Sequence, residues 1–156
     1  MNPNTVYIDA LNLAYWCGAP PSLRLPLCAL AELLRAGIAA TLVFDANARY
    51  RLQHEADVYA ALAVDEQHVV VAPSGRPADR VMLRLATACG GRVLSRDKFA
   101  DHRRRYRKLI DDPARLLPGW VHQDTLHLPA LQIAASLPAD AQAAWQSLLP
   151  LLPTVS

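Results

Sequence analysis

Short apolar runs alternate with longer amphipathic segments along this chain, and that alternation constrains the fold more than any other feature of the sequence. Strand-like apolar runs are predicted at residues 5–8, 40–44, 68–72 and 92–94. Helical patterns are predicted at residues 25–36, 54–64, 77–90 and 97–108. Parallel strands need helical crossovers of this kind. The order therefore predicts an α/β fold, a Rossmann-like three-layer sandwich with a central parallel sheet.

The C-terminal third is less regular. The segment "GWVHQDTLHL" at residues 119–128 predicts a fifth strand or a short hairpin. A final helix is predicted from Pro138, with Trp145 and Leu148 on its inner face, either covering one side of the sheet or docking a partner. A length of 156 residues is typical of one domain. We therefore expect a single domain over residues 1–156, with its core at about 4–130 and a Pro-rich segment and helix at about 131–156 packed on it.

Composition excludes several classes of protein. A net charge of +2 is too small for a polybasic nucleic-acid binder, so local charge has to be considered segment by segment. The three cysteines show no metal-binding spacing, which predicts buried or free thiols in a reducing compartment. The N-terminal sequence lacks the pattern of a signal peptide, and no apolar stretch has the length of a membrane span. We expect a cytoplasmic protein with no membrane partner.

Carboxylates recur where the predicted strands end. The set comprises Asp9, Asp45, Asp79, Asp97 and Asp101. Because the carboxyl ends of parallel strands share one edge of a sheet, these residues are expected to converge there. Crowded carboxylates repel one another unless a cation enters, and their hard oxygen atoms suit Mg²⁺ or Mn²⁺. Alone, each has an ordinary structural explanation, such as a helix cap or a surface ion pair.

Three details refine this prediction. Asp97 and Asp101, at positions i and i+4 of a predicted helix, should share one helix face. Asn12 follows Asp9 closely enough to position a carboxylate, a water or a phosphate. Asp45 should lie beside Asp9 on the neighbouring strand, either next to the metal ligands or outside the site.

Residues 96–108, "RDKFADHRRRYRK", combine seven Arg and Lys with two Asp. Cations beside an acidic metal site are suited to hold the phosphates of a nucleic acid. The candidate phosphate-binding residues are Arg80, Lys98, Arg103, Arg104 and Arg107. Tyr106 could stack on an unpaired base or pack against the core. His102 lies near the predicted site, although a surface histidine would explain it equally.

The stretches "YIDALNLAY", "PADRVMLRLA" and "GGRVLSRDKFADHRRRY" together resemble the PIN/NYN superfamily of metal-dependent nucleases, and in particular its regnase-like ribonucleases. The resemblance covers roughly residues 5–130. It implies an endoribonuclease that uses Mg²⁺ or Mn²⁺ and an activated water to leave a 5′-phosphate and a 3′-hydroxyl. By position, it implies catalytic and metal-binding roles for Asp9, Asp79, Asp97 and Asp101. Asn12 and Ser95 would organise this site, with Ser95 next to the substrate.

The implied partner is single-stranded or looped RNA, with no small-molecule cofactor, and the superfamily is compatible with a homo-oligomer. Three features depart from the regnase-like pattern. Ala78 stands where that branch often has a second Asp, Ala10 and Leu11 replace the small or polar residues usual after the first Asp, and the accompanying zinc finger is absent. Ala78 and the uneven distribution of phosphate-binding residues motivate an alternative, a catalytically weak or inactive RNA-binding or interaction module. A phosphatase with Asp9 as its nucleophile is a third hypothesis, although Leu11 replaces the second Asp that such chemistry usually requires.

Overall fold

A computed structural model describes residues 4–153 of the protein; residues 1–3 and 154–156, at the two ends of the predicted domain, lie outside the described part. The strands are β1 (Val6–Asp9), β2 (Ala40–Phe44), β3 (Val69–Val71), β4 (Arg92–Leu94), β5 (Leu116–Leu117), β6 (Trp120–His122), β7 (Thr125–Leu128) and β8 (Ile133–Ser136). The α-helices are α1 (Ala10–Ala14), α2 (Arg24–Arg35), α3 (Ala48–Arg51), α4 (Ala56–Ala63), α5 (Ala78–Cys89), α6 (Arg103–Ile110) and α7 (Ala141–Leu148).

The first five strands form one parallel sheet in the order β3-β2-β1-β4-β5. The chain builds outwards from β1 to β3, then returns to place β4 on the other side of β1. The strand order therefore reverses between β1 and β4. In open α/β sheets, ligands bind beyond the carboxyl ends of the strands at such a reversal. This position brings the residues that follow β1 and β4 together.

Both faces of the parallel sheet are buried, because side chains of alternating direction on β1 and β4 are apolar on either side. Val6, Ile8 and Leu94 contribute to the core on the face covered by α2. Tyr7 and Val93 point to the opposite face and pack with the apolar side of α5. The result is a three-layer arrangement of helix, sheet and helix. It confirms the α/β fold predicted from the sequence.

The C-terminal region forms a second sheet. Strands β6, β7 and β8 pair antiparallel, so residues 119–128 contain a hairpin, and the fifth strand of the main sheet is the preceding β5. The predicted final helix is α7, with Ala144 and Leu148 buried. It packs against α2, which itself lies on the sheet, and its buried side chains belong to the same apolar core as those of β1 and β2. No helix within residues 4–153 is long and apolar enough to cross a membrane.

Two predicted helices differ in the structure. Residues 54–64 are divided between a 3₁₀ turn at Gln53–Glu55 and α4. Residues 97–108 do not form one helix: Asp97 lies in a loop, a 3₁₀ turn spans Ala100–His102, and α6 begins only at Arg103. Tyr106 departs from helical geometry with φ −118° and ψ 32°. The predicted shared helix face of Asp97 and Asp101 was therefore wrong.

Candidate active site

Asp9 is the last residue of β1 and lies at the strand-order reversal. Its side chain is buried, with 9% of the residue exposed. The Ser95 hydroxyl, directly after β4, donates a hydrogen bond of 2.7 Å to Asp9 Oδ2. This bond crosses the reversal between β1 and β4. The carboxylate of Asp9, at the end of β1, is therefore bonded to a residue from a distant part of the chain.

The loop from Ser95 to Phe99 is held by short polar contacts. Ser95 Oγ accepts a bond of 3.0 Å from the Asp97 N–H, and Asp97 Oδ1 accepts one of 2.8 Å from the Phe99 N–H. Phe99 has a left-handed backbone with φ 52°, which is unusual for a non-glycine residue, and its ring is buried. Because its ring is anchored and its polar groups are paired, the loop fixes the exposed Asp97 close to Asp9.

Asn12 connects the two sides of the site. Its Oδ1 accepts hydrogen bonds from the Arg96 N–H at 3.0 Å and from Trp16 Nε1 at 2.9 Å. Its own backbone N–H donates to the Asp9 carboxylate. The side-chain oxygen of Asn12 thus holds the loop after β4, while its backbone holds the carboxylate after β1. A contact of Asn12 with a metal or phosphate stays a prediction.

Burial raises the pKa of Asp9 from its ordinary value of 3.8 to about 7. The hydrogen bond from Ser95 opposes this shift, while the negative charges of Asp97 and Asp45 add to it. A carboxyl group with a pKa near neutrality loses its proton readily when a cation binds. The electrostatics at Asp9 therefore favour a positive ligand at this edge of the sheet.

Asp45 follows β2 and has a structural contact as well as an electrostatic one. Its Oδ1 accepts a hydrogen bond of 2.8 Å from the N–H of Ala78, the first residue of α5. A carboxylate from one segment thereby caps a helix from another, where Pro77 offers no side-chain cap. Asp45 thus positions the start of α5 and repels the charge of Asp9.

Asp79 and Asp101 have different surroundings from Asp9. His102 Nε2 lies 3.0 Å from Asp79 Oδ2, at hydrogen-bonding distance for a donating imidazole N–H, and Asp79 Oδ1 accepts from the Arg80 N–H. Asp101 lines a cleft of about 670 Å³ with Arg80 and Arg104. A different cleft, of about 570 Å³, is lined by Ser95 and Asp97. Metal-binding roles for Asp79 and Asp101 stay predictions.

The donor set fits a hydrated divalent ion better than a closed protein cage. Within residues 4–153, no three His, Cys, Asp or Glu side chains are grouped closely enough to hold a metal together. Asp9 and Asp97 nevertheless interact as like charges, and their carboxylate oxygens are hard ligands. Mg²⁺ typically keeps several waters and binds through one or two carboxylates plus substrate phosphates. Asp9 and Asp97 are the residues that would hold such an ion.

The predicted cations surround these acidic residues unevenly. Lys98 and Arg103 line the cleft that contains Asp97. Arg103 also forms a salt bridge of 3.0 Å with Asp111, which offsets part of its charge. Arg104 and Arg107 are exposed and line a third cleft beside Arg103. Ser95, in contrast, is buried and bonded to its neighbours, which suits an organising role; its predicted substrate contact is untested.

Arg96 is a residue whose setting the sequence did not reveal. Its guanidinium carbon lies 4.5 Å from the centre of the Trp16 ring, and its Nε donates to the Gly119 carbonyl at 3.1 Å. Gly119 accommodates this contact, because an added Cβ would lie 2.9 Å from the Trp16 ring. The four-residue spacing of Asn12 and Trp16 was the only local sign of this arrangement.

Comparison with known proteins gives one result. The family model described as "Zc3h12a-like Ribonuclease NYN domain" matches residues 2–132, a range that includes every predicted site residue. No curated protein matches the chain.

Proposed function

Because this chain belongs to the Zc3h12a-like ribonuclease NYN domain family, we propose that it is a metal-dependent endoribonuclease that hydrolyses phosphodiester bonds of single-stranded or looped RNA. The observation that carries this proposal is the Asp9–Ser95 pair at the strand-order reversal, with Asp97 fixed beside it. Asp9 is buried at the ligand-binding edge of the sheet, and the charges of Asp97 and Asp45 repel its carboxylate. A group held in so unfavourable a position is more typical of a functional site than of a structural role.

In this proposal, Asp9 and Asp97 hold Mg²⁺ or Mn²⁺, and Asp79 and Asp101 complete the acidic site. When bound, the ion lowers the pKa of an attacking water and neutralises charge on the phosphate. Ser95 and Asn12 keep Asp9 and Asp97 in place by the hydrogen bonds described above. His102 orients the Asp79 carboxylate through its Nε2.

Cationic residues would hold the RNA backbone on either side of the scissile phosphate. Lys98 lies in the same cleft as Asp97, and Arg80 and Arg104 lie in the neighbouring one. Arg103 and Arg107 extend the positive surface along α6. In this arrangement the Arg and Lys side chains bind the phosphates of the RNA, while the carboxylates bind the metal ion.

The proposal can be tested with end-labelled single-stranded RNA in the presence of chelator, Mg²⁺ or Mn²⁺. We expect the wild-type protein to cut internally only with metal, and to leave 5′-phosphate ends that a phosphatase can remove. Asp97→Asn and Asp9→Asn should abolish cleavage while the proteins stay folded. Asp57→Asn, an exposed carboxylate on α4, is the matched control and should cut normally. Undiminished cleavage by both site variants would contradict the assigned roles.

Two observations favour a second function, a non-catalytic RNA-binding module on the same fold. The described residues contain no group of three metal-binding side chains, and Ala78 stands where the family often carries an acidic residue. Salt-sensitive RNA binding by the wild-type protein, with no turnover in either Mg²⁺ or Mn²⁺, would select this function over the first.

A further inference from the structure

The second sheet presents an aromatic pair on its outer face. Trp120 on β6 and His127 on β7 are direct cross-strand partners, and their rings stack with centroids 5.5 Å apart at an interplanar angle of 21°. Trp120 is 45% exposed, whereas tryptophan side chains are on average highly buried. The inner face of the same sheet is buried, with Leu126 and Leu128 in the core. The outer pair is therefore not needed to fill the core.

The surroundings leave this pair accessible. His127 pairs on its other side with Ala134 of β8, whose small side chain does not cover the ring. Trp120 occupies the edge strand of the sheet, so it has a neighbouring strand on one side only. An exposed aromatic ring on a sheet, backed by a second ring, is a geometry that can stack an unpaired base.

Arg96 connects the Trp120–His127 pair to the edge of the parallel sheet at which Asp9 and Asp97 lie. The Arg96 Nε bonds to the carbonyl of Gly119, the residue directly before Trp120. The Arg96 backbone N–H bonds to Asn12, which also holds Asp9. The guanidinium also lies over the Trp16 ring, so two contacts, with Trp16 and with the Gly119 carbonyl, hold it in place. Arg96 thus contacts both the residue before Trp120 and the residue whose backbone holds the Asp9 carboxylate.

We propose that Trp120 and His127, with Arg96, form a subsite that stacks one unpaired RNA base beside the cleavage site. The ring of Trp120 contacts the base, His127 supports that ring from behind, and Arg96 contacts the phosphate that connects the base to the scissile bond. This inference rests on the proposed function for the identity of the ligand. Stacking is tolerant of base identity, so the subsite selects for an unpaired nucleotide rather than for a sequence.

The first test measures binding without cleavage. A dye-labelled single-stranded RNA is titrated with protein in chelator, and affinity is followed by anisotropy. Loss of one base stack typically lowers affinity between about 5- and 150-fold. We expect a loss in this range for Trp120→Ala and a smaller loss for His127→Ala. Trp120→Phe, which keeps an aromatic face, should lose least and guards against misfolding of the alanine variant.

The second test follows RNA binding through the intrinsic fluorescence of the protein. The chain has three tryptophans, and a stacked base should quench the fluorescence of Trp120. Unlabelled RNA should therefore quench wild-type emission, and the quench should shrink in Trp120→Phe. Trp145→Phe, a substitution on α7 outside both sheets, is the matched control and should retain it. A single abasic nucleotide at the stacking position should weaken wild-type binding but not that of Trp120→Ala.

The outcomes separate this inference from the proposed function. If metal-dependent cleavage is present but Trp120→Ala binds RNA as tightly as wild type, the subsite is refuted and the nuclease stands. If RNA quenches Trp120 but no metal supports cleavage, the subsite stands and the catalytic proposal fails. Absence of RNA binding in the wild-type protein overturns both. A quench by double-stranded RNA equal to that by single-stranded RNA would also refute base stacking.

Discussion

Burial, a hydrogen bond and the charges of two other carboxylates all act on the side chain of Asp9. It is buried, it accepts from Ser95, and two other carboxylates act on its charge. Its pKa of about 7 lies well above the value of 3.8 expected in the unfolded chain. A carboxyl group of this kind takes up a proton on folding. Its contribution to stability is therefore greatest below pH 3.8 and is lost as the pH rises through about 7.

Asp9→Asn removes this titration. Without metal, we expect the free energy of unfolding of the variant to rise relative to wild type between pH 4 and pH 8, by on the order of a few kcal/mol. Urea denaturation at several pH values measures this difference. Mn²⁺ should stabilise wild type at pH 8 and leave the variant unchanged. A stability difference that is independent of pH would contradict the raised pKa of Asp9.

Ser95→Ala removes a hydrogen bond that lowers the pKa of Asp9 and another that positions the Asp97 N–H. We expect the acidic limb of the pH profile of kcat/KM to move to higher pH, because the Asp9 carboxylate forms less readily. Activity at pH 7 should fall roughly tenfold or more, the scale of a lost hydrogen bond to a charged group. Ser147→Ala, on the exposed side of α7, should leave the profile unmoved. An unshifted limb in Ser95→Ala would rule out this positioning role.

Among the elements, α6 differs most from its prediction. The buried Phe99 has a left-handed backbone with φ 52°, which is incompatible with a right-handed helix that runs on from Asp97. The helix therefore starts at Arg103 rather than at Asp97. As a consequence, Asp97 is held by the loop after β4, where it can approach Asp9.

The contacts along α6 predict unequal contributions to RNA binding. Arg104→Gln and Arg107→Gln should each lower the slope of log K against log salt by about 0.7 for single-stranded RNA. Arg103→Gln should have a smaller effect, because Asp111 already offsets the charge of Arg103. Affinity measured at four salt concentrations checks this order. Arg35→Gln, on α2 and paired with Glu32, is the control; an equal loss in all four variants would exclude a specific role for α6.

At the scale of the whole molecule, the packing of α7 bears on the predicted domain. Its apolar side, with Ala141, Ala144 and Leu148, joins the core formed by α2 and the parallel sheet. The family match ends at residue 132, before this helix begins. We therefore propose that residues 1–156 form one domain in which the C-terminal segment is part of the folded unit.

Leu148→Ala should lower the free energy of unfolding by about 2–5 kcal/mol, since it leaves a cavity at a fully buried position. The adjacent Leu149→Ala, at a position 46% exposed, is the matched control and should cost much less. In a Trp16→Phe/Trp120→Phe variant, where Trp145 is the remaining tryptophan, fluorescence and far-ultraviolet circular dichroism should report one coincident transition. Separate transitions would show that α7 unfolds independently of the sheet and would contradict the single domain.

The sequence by itself determined the class of fold, the family and the position of Asp9 at the end of β1. These depend on local periodicity and on motifs within short segments, which can be recognised in the sequence without any information on long-range contacts. Tertiary structure alone decided the partners of the site. The Asp9–Ser95 bond joins residues 86 positions apart, Asp45 caps α5, and Arg96 lies over Trp16. Such contacts depend on the order of strands in the sheet and on loop geometry, which no local pattern of apolar and polar residues encodes.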